Sequence, residues 1–194
     1  MFKHIFLVII LIGSIMLWEQ RPVSHGAGVV APEKPALQRV SFSNEFQYQH
    51  YTMKPRWEIR GTSRVISKKS YWFDDKKHLS PYDMILGWSA MSDERILNQV
   101  QLPISNRQYG IEVIRPPLTI GEMKKHLLYM HAIPSDNEIS EKMKKIREGS
   151  IVSYKGYIVD VKDQSDWRWL SAIDTRQGQL DKPQVVWIQE LSIQ

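Results

Sequence analysis

Cysteine is absent from all 194 residues, which excludes disulfides, thiolate nucleophiles, cysteine-ligated zinc and a lipidated cysteine anchor. The local signatures of common catalysis are also missing. No G-x-S-x-G elbow, S-x-x-K pair, phosphate-binding loop or G-x-G-x-x-G fingerprint occurs anywhere in the chain. Strong charge of one sign is lacking too: the net charge is +5 and the pI about 9.3. The first 37 residues hold Lys3, Arg21 and Lys34 against Glu19 and Glu33, so the rest carries 23 basic and 19 acidic groups, or +4. That mild bias suits an anionic neighbour, such as lipid headgroups, wall polymer or nucleic acid, and selects none of them. Long apolar runs are scarce as well. There is one, at the start.

Lys3 precedes an uncharged stretch from Ile5 to Trp18, carried by Ile5, Phe6, Leu7, Val8, Ile9, Ile10, Leu11, Ile12, Ile15, Met16, Leu17 and Trp18. It falls short of the roughly 20 residues that cross a bilayer, and snorkelling of Lys3 narrows the gap. No A-x-A cleavage pattern follows. Residues 1–18 are therefore expected to be a membrane anchor or a signal segment. The body is then extracytoplasmic or periplasmic, tethered by a single pass to the inner (cytoplasmic) membrane, or secreted if the leader is cleaved. Residues 19–37, with three prolines and two glycines, read as a flexible linker. Residues 38–194 read as one globular domain with its core at about 57–194, large enough to need no staples.

Within that body, alternation at Trp57-Glu58-Ile59-Arg60 signals a half-buried strand. The spacing predicts strands at 57–67, 107–114, 151–161, 167–173 and 185–193. Residues 38–55 form an irregular lead-in. Ser80-Pro81-Tyr82-Asp83 predicts a short helix stopped by Gly87, and Ser92-Asp93 opens another. Thr119-x-x-Glu122 is a capping box before the stripe Ile120, Met123, Leu127 and Met130; Ser135-x-x-Glu138 is a second, before Ile139, Met143 and Ile146. Gly156 interrupts Ile151–Val161. An X-Gly hairpin turn is weaker than Asn-Gly, so one bent strand is favoured. The expected class is α+β, a five-stranded, partly open OB-like barrel or a strongly bent sheet with inserted helices, preceded by one apolar helix.

The segments LSPYDMILGWSAMSD, MHAIP, GSIVSYKGYIVDV and DWRWLS resemble a family of uncharacterised bacterial exported, membrane-anchored proteins, over about residues 57–175. Members tend to continue the Trp-rich strand with a Ser-Leu-Thr-Arg-like segment, whereas this chain reads Ser171-Ala172-Ile173-Asp174-Thr175-Arg176. The resemblance implies an envelope setting and supplies no activity.

Candidate chemistry is sparse. His126, Met130 and His131 combine imidazole and thioether, a copper-like set, but the methionines also complete an apolar stripe. No metal or other cofactor is expected. Asp74-Asp75 has the composition of an exposed turn, and Asp83 suits a helix's first turn. Trp167 and Trp169 share one side of a strand and Arg168 takes the other. With Tyr154 and Tyr157 they form either barrel core or a stacking platform. The expected function is a non-enzymatic interaction module for an envelope protein or anionic polymer. The alternatives are an envelope hydrolase acting on wall or lipid, or a nucleic-acid binder linked to DNA transfer.

Overall fold

The computed structural model describes residues 21–41, 44–115, 117–165, 167–173 and 180–194. The expected anchor (1–18) and the positions Pro116, Asp166 and 174–179 lie outside the described residues. The described chain is predominantly β, a large mixed sheet with few helices, and so carries less helix than an α+β chain.

Five long strands carry the sheet: β1 (Tyr51–Ser70), β2 (Tyr82–Gly87), β3 (Leu127–Pro134), β4 (Ile151–Lys162) and β5 (Leu180–Ile193). β1 pairs with β2, β2 with β3, and β5 with β4, all antiparallel; β3 and β5 run parallel. β4 also returns to β1. The circuit does not make a closed barrel. β1 holds β4 through residues 52–64 and β2 through residues 64–70, so both partners meet it only at Arg64. Ala36–Arg39 and Phe46–Tyr48 add to β1, and Arg168–Trp169 adds to β4.

The bent-strand expectation for Gly156 matches β4, which runs unbroken through it. The register against β5 slips between Lys155 and Gly156. A β-carbon at Gly156 would overlap the Trp187 carbonyl oxygen, so glycine is required by close backbone approach.

Several expected elements differ. Tyr82–Gly87 is a buried strand, and the Ser80-Pro81 start leads into it. The stripe from Ile120 supports only a six-residue helix, α2 (Ile120–Lys125), with Thr119 accepting from the Glu122 amide as its cap. Leu127–Pro134 then extends, every residue buried, with β2 on one side and β5 on the other. A strand covered on both faces reads as a continuous apolar run and is easily taken for helix. The strand expected at 107–114 dissolves into two-residue ladders, Ile104–Ser105 with Gln108–Tyr109 and Val100–Gln101 with Glu112–Val113. The one expected at 167–173 shrinks to Arg168–Trp169. Helix α1 (Glu94–Leu97) is capped by Asp93. Helix α3 (Asn137–Lys145) is capped by Asp136, one residue after the serine expected. Its stripe, Ile139, Met143 and Ile146, joins the largest apolar cluster with Ile59, Met130, Ile158 and Val186.

The expected spacer is not loose where it is described. The Val23 amide donates to the Glu148 carbonyl. Ser24 Oγ and the His25 and Gly26 amides all donate to the Glu94 carboxylate. Ala31 is buried, and its amide donates to Ser92 Oγ. Proline and glycine here shape a strap whose polar backbone finds specific acceptors.

Candidate functional site

On β2 and β3, alternate side chains leave the main core. Asp83 projects from β2, and Tyr129 and His131 from β3, where the register sets Asp83 opposite His131. Asp83 is fully buried. Its Oδ1 accepts from His131 Nδ1 at 2.8 Å and from Arg107 Nη1 at 2.9 Å. Its Oδ2 accepts from the hydroxyls of Tyr71 at 2.8 Å and Tyr129 at 2.9 Å. A buried carboxylate is tolerated only when its lone pairs are met in this way. Asp83 was expected to be a helix-start acid and is instead the centre of a network.

Arg107 reaches this centre from the tight turn between Ile104–Ser105 and Gln108–Tyr109, where Asn106 and Arg107 have φ of 49° and 59°. Its Nη2 donates to Asp74 and to the Ser80 carbonyl, and its guanidinium lies 3.9 Å from the Tyr71 ring centroid. Asp74 is therefore no free turn acid. The Arg107 hydrogen bond holds its carboxyl below the usual range. Burial, followed by the Asp83 charge, raises the Tyr71 and Tyr129 hydroxyls.

Trp169 covers the network from outside. Its ring lies 4.7 Å from that of His131 and 6.2 Å from that of Trp167. Lys76 Nζ sits 4.7 Å from the Trp169 centroid and 5.6 Å from that of Trp167. Both tryptophans are half-buried and Arg168 is exposed. The result is a cationic, aromatic surface over a buried polar base, joining the β1–β2 loop (71–81) to the chain after β4.

The tyrosines expected with the tryptophans separate. Tyr154 lies in the main core, where its hydroxyl meets Ser63 Oγ at 3.3 Å. Tyr157 faces the opposite way, 6.4 Å from Trp187, in the aromatic cluster that also includes both loop tryptophans. A shared metal site at His126, Met130 and His131 does not assemble. The helix meant to unite them ends at Lys125, and Met130 and His131 are neighbours on a strand with opposite faces. His126 Nδ1 instead meets the Glu122 carbonyl, and its ring lies against Trp88. Among the described residues no group of three or more His, Cys, Asp or Glu could hold a metal ion.

Lys76, Asp83 and Arg107 were not anticipated as site residues. One signal was available: Asp83 inside the alternation Tyr82, Met84, Leu86 marks an acid on one face of a strand. Arg107 gave only the Asn106-Arg107 turn. Comparison with known proteins yields no matching family model, no similar curated protein and no similar solved structure.

Proposed function

We propose that the chain is a membrane-tethered, extracytoplasmic, non-enzymatic interaction module built on a partly open, OB-like barrel. Its tether is the apolar segment 1–18, in the inner membrane, and its described body faces the periplasm. Supporting the barrel reading are the strand circuit β1–β2–β3–β5–β4, the parallel β3/β5 pair, and α3 packed on the core between β3 and β4. OB barrels take oligonucleotides and oligosaccharides on the strand 2–3 face, between the loops after strands 1 and 4. The observation that carries the proposal is that Lys76, from the first such loop, lies over Trp167 and Trp169, from the second, directly above His131 of β3.

The ligand class is an anionic envelope polymer. Its rings would stack on the two tryptophans and its acidic groups would meet Lys76 and Arg168. A partner protein or a nucleic acid on this face would give the same fluorescence response with a different ligand.

The test is titration of the protein with purified anionic wall polymer, and with single-stranded DNA of matched charge, following tryptophan emission. Polymer binding should shift the emission, weaken with salt, and disappear in Trp167→Ala and Trp169→Ala, which stay folded because both rings are only half-buried. No response to either ligand refutes the polyanion reading; a response to DNA alone turns it toward nucleic acid.

A hydrolase is the second reading, favoured by the Asp83–His131 bond of 2.8 Å, the arrangement that orients a general base. It requires His131→Ala to abolish turnover of wall or lipid substrate while leaving polymer binding intact.

A further inference from the structure

Trp72 and Phe73, adjacent in the β1–β2 loop, are 76% and 98% exposed, the two most exposed large aromatics among the described residues. The loop that bears them is braced. The Tyr71 amide donates to the Pro81 carbonyl, and its hydroxyl is held by Asp83. Asp74 accepts from Arg107 and from the Lys76 amide, and Lys77 Nζ donates to the Trp72 carbonyl. The aromatic pair is thus displayed on a fixed turn, not left on a loose one. Displaying it costs hydrophobic burial, which calls for a partner surface.

The size and surroundings of the tip decide which partner. Two aromatic side chains offer at most about 500 Å², short of the roughly 800 Å² each side needs in a stable protein interface. Lys69, Lys76 and Lys77 flank the pair in sequence; of the two acids that follow Phe73, Asp74 is engaged by Arg107 and Asp75 is exposed, so the lysines outnumber the one open carboxylate. Tryptophan beside lysine suits the headgroup zone of an anionic bilayer, where an amphipathic ring and a cation are both satisfied.

Chain length supplies the proximity. The apolar run ends in sequence at Trp18, and Val23 is already bonded to Glu148 of the domain. Those five residue steps extend at most about 18 Å. A domain held that close docks intramolecularly, so a weak contact is enough.

The geometry points to the Trp72–Phe73 tip as a second membrane contact that seats in an anionic lipid surface and fixes the orientation of the domain on the bilayer. This inference rests on the tethered reading of the chain. Docking at the tip places the Trp167/Trp169 surface, which shares the loop through Lys76, beside the membrane.

The lack of native cysteine makes a single label unambiguous. Phe73→Cys and, as a control, Ile114→Cys (Ile114 is 76% exposed) are made in the full chain, labelled with an environment-sensitive fluorophore and reconstituted into vesicles. The vesicles carry lipid-borne nitroxide quenchers, with or without anionic lipid. Quenching and a blue shift at position 73, stronger with anionic lipid and absent at 114, are the expected result. If the chain floats with the vesicles but position 73 stays as open to water as 114, the tip inference falls and the tether stands. If the chain does not float at all, the tethered reading falls and takes this inference with it. Protection of position 73 only after addition of envelope protein overturns the lipid assignment.

Discussion

Removing Arg107 is the most informative single perturbation of the buried network. Its side chain is 10% exposed and pairs with Asp83, itself fully buried, at 2.9 Å. Arg107→Ala leaves that carboxylate with three donors and without its guanidinium, and removes the same partner from Asp74 and the Ser80 carbonyl. Breaking a buried ion pair from one side costs about 3–5 kcal/mol. For a domain of this size each kcal/mol lowers Tm by roughly 2–4 °C, so the melting temperature should fall by roughly 6–20 °C. The left-handed φ of 59° at this position is a strain that alanine retains and glycine releases. Arg107→Gly should therefore be about 1 kcal/mol less damaging than Arg107→Ala. Asp83→Asn removes the charge while keeping an acceptor for the tyrosine hydroxyls. A double-mutant cycle between it and Arg107→Ala should show a coupling of about 1–3 kcal/mol. Urea denaturation followed by tryptophan emission measures the wild type and all four variants. A loss below about 1 kcal/mol for Arg107→Ala, or strict additivity in the cycle, would refute the claim that this arginine neutralises a buried charge.

Three further outcomes follow from other contacts. Gly156→Ala should cost about 2–3 kcal/mol, because the added methyl meets the Trp187 carbonyl and lies 3.0 Å from the Ile188 Cα; equal melting curves would show that the bulge can widen freely. Burial lowers the Lys68 ammonium from about 10.5 to about 8, although three carbonyls at the end of α3 accept its protons. Between those values the unfolded chain keeps a proton that the folded chain has lost, so stability should rise with pH there, and Lys68→Met should lose that rise. The Ser24 hydroxyl, then the His25 amide and Arg64, hold the Glu94 carboxyl down at about 2. The strap's anchorage is thus complete above the ordinary glutamate value of about 4.5 and is lost as pH falls toward 2. Protection against hydrogen exchange at residues 23–28, taken relative to the intrinsic rate at each pH, should fall across that interval in the wild type. In Glu94→Gln it should already be low at neutral pH, and protection equal to the wild type there would remove Glu94 as the anchor.

Sequence alone determined the local devices. Glycine inside the alternation of Ile151–Val161 favoured one continuous strand over a weak X-Gly hairpin turn; the backbone contact with Trp187 that makes the glycine obligatory belongs to the fold. The Thr119 cap and the Ile139–Met143–Ile146 stripe were legible because each depends on residues three or four apart, whereas the cap expected at Ser135 fell one residue later, at Asp136. Lack of cysteine bounded the chemistry before any fold was known. Tertiary structure decided the rest. LLYMHAIP is uniformly apolar apart from His131, and uniformity carries no period, so only the strands on either side make it extended. The four groups that satisfy Asp83 come from 12, 24, 46 and 48 positions away. Nothing local to SPYD announces them. The strap looked like a spacer for the same reason: the Ser24 hydroxyl and the His25 and Gly26 amides are met by Glu94, 68 to 70 positions downstream. Periodicity and caps are written in neighbours along the chain. Which face a buried charge turns to is set by partners that folding alone brings within reach.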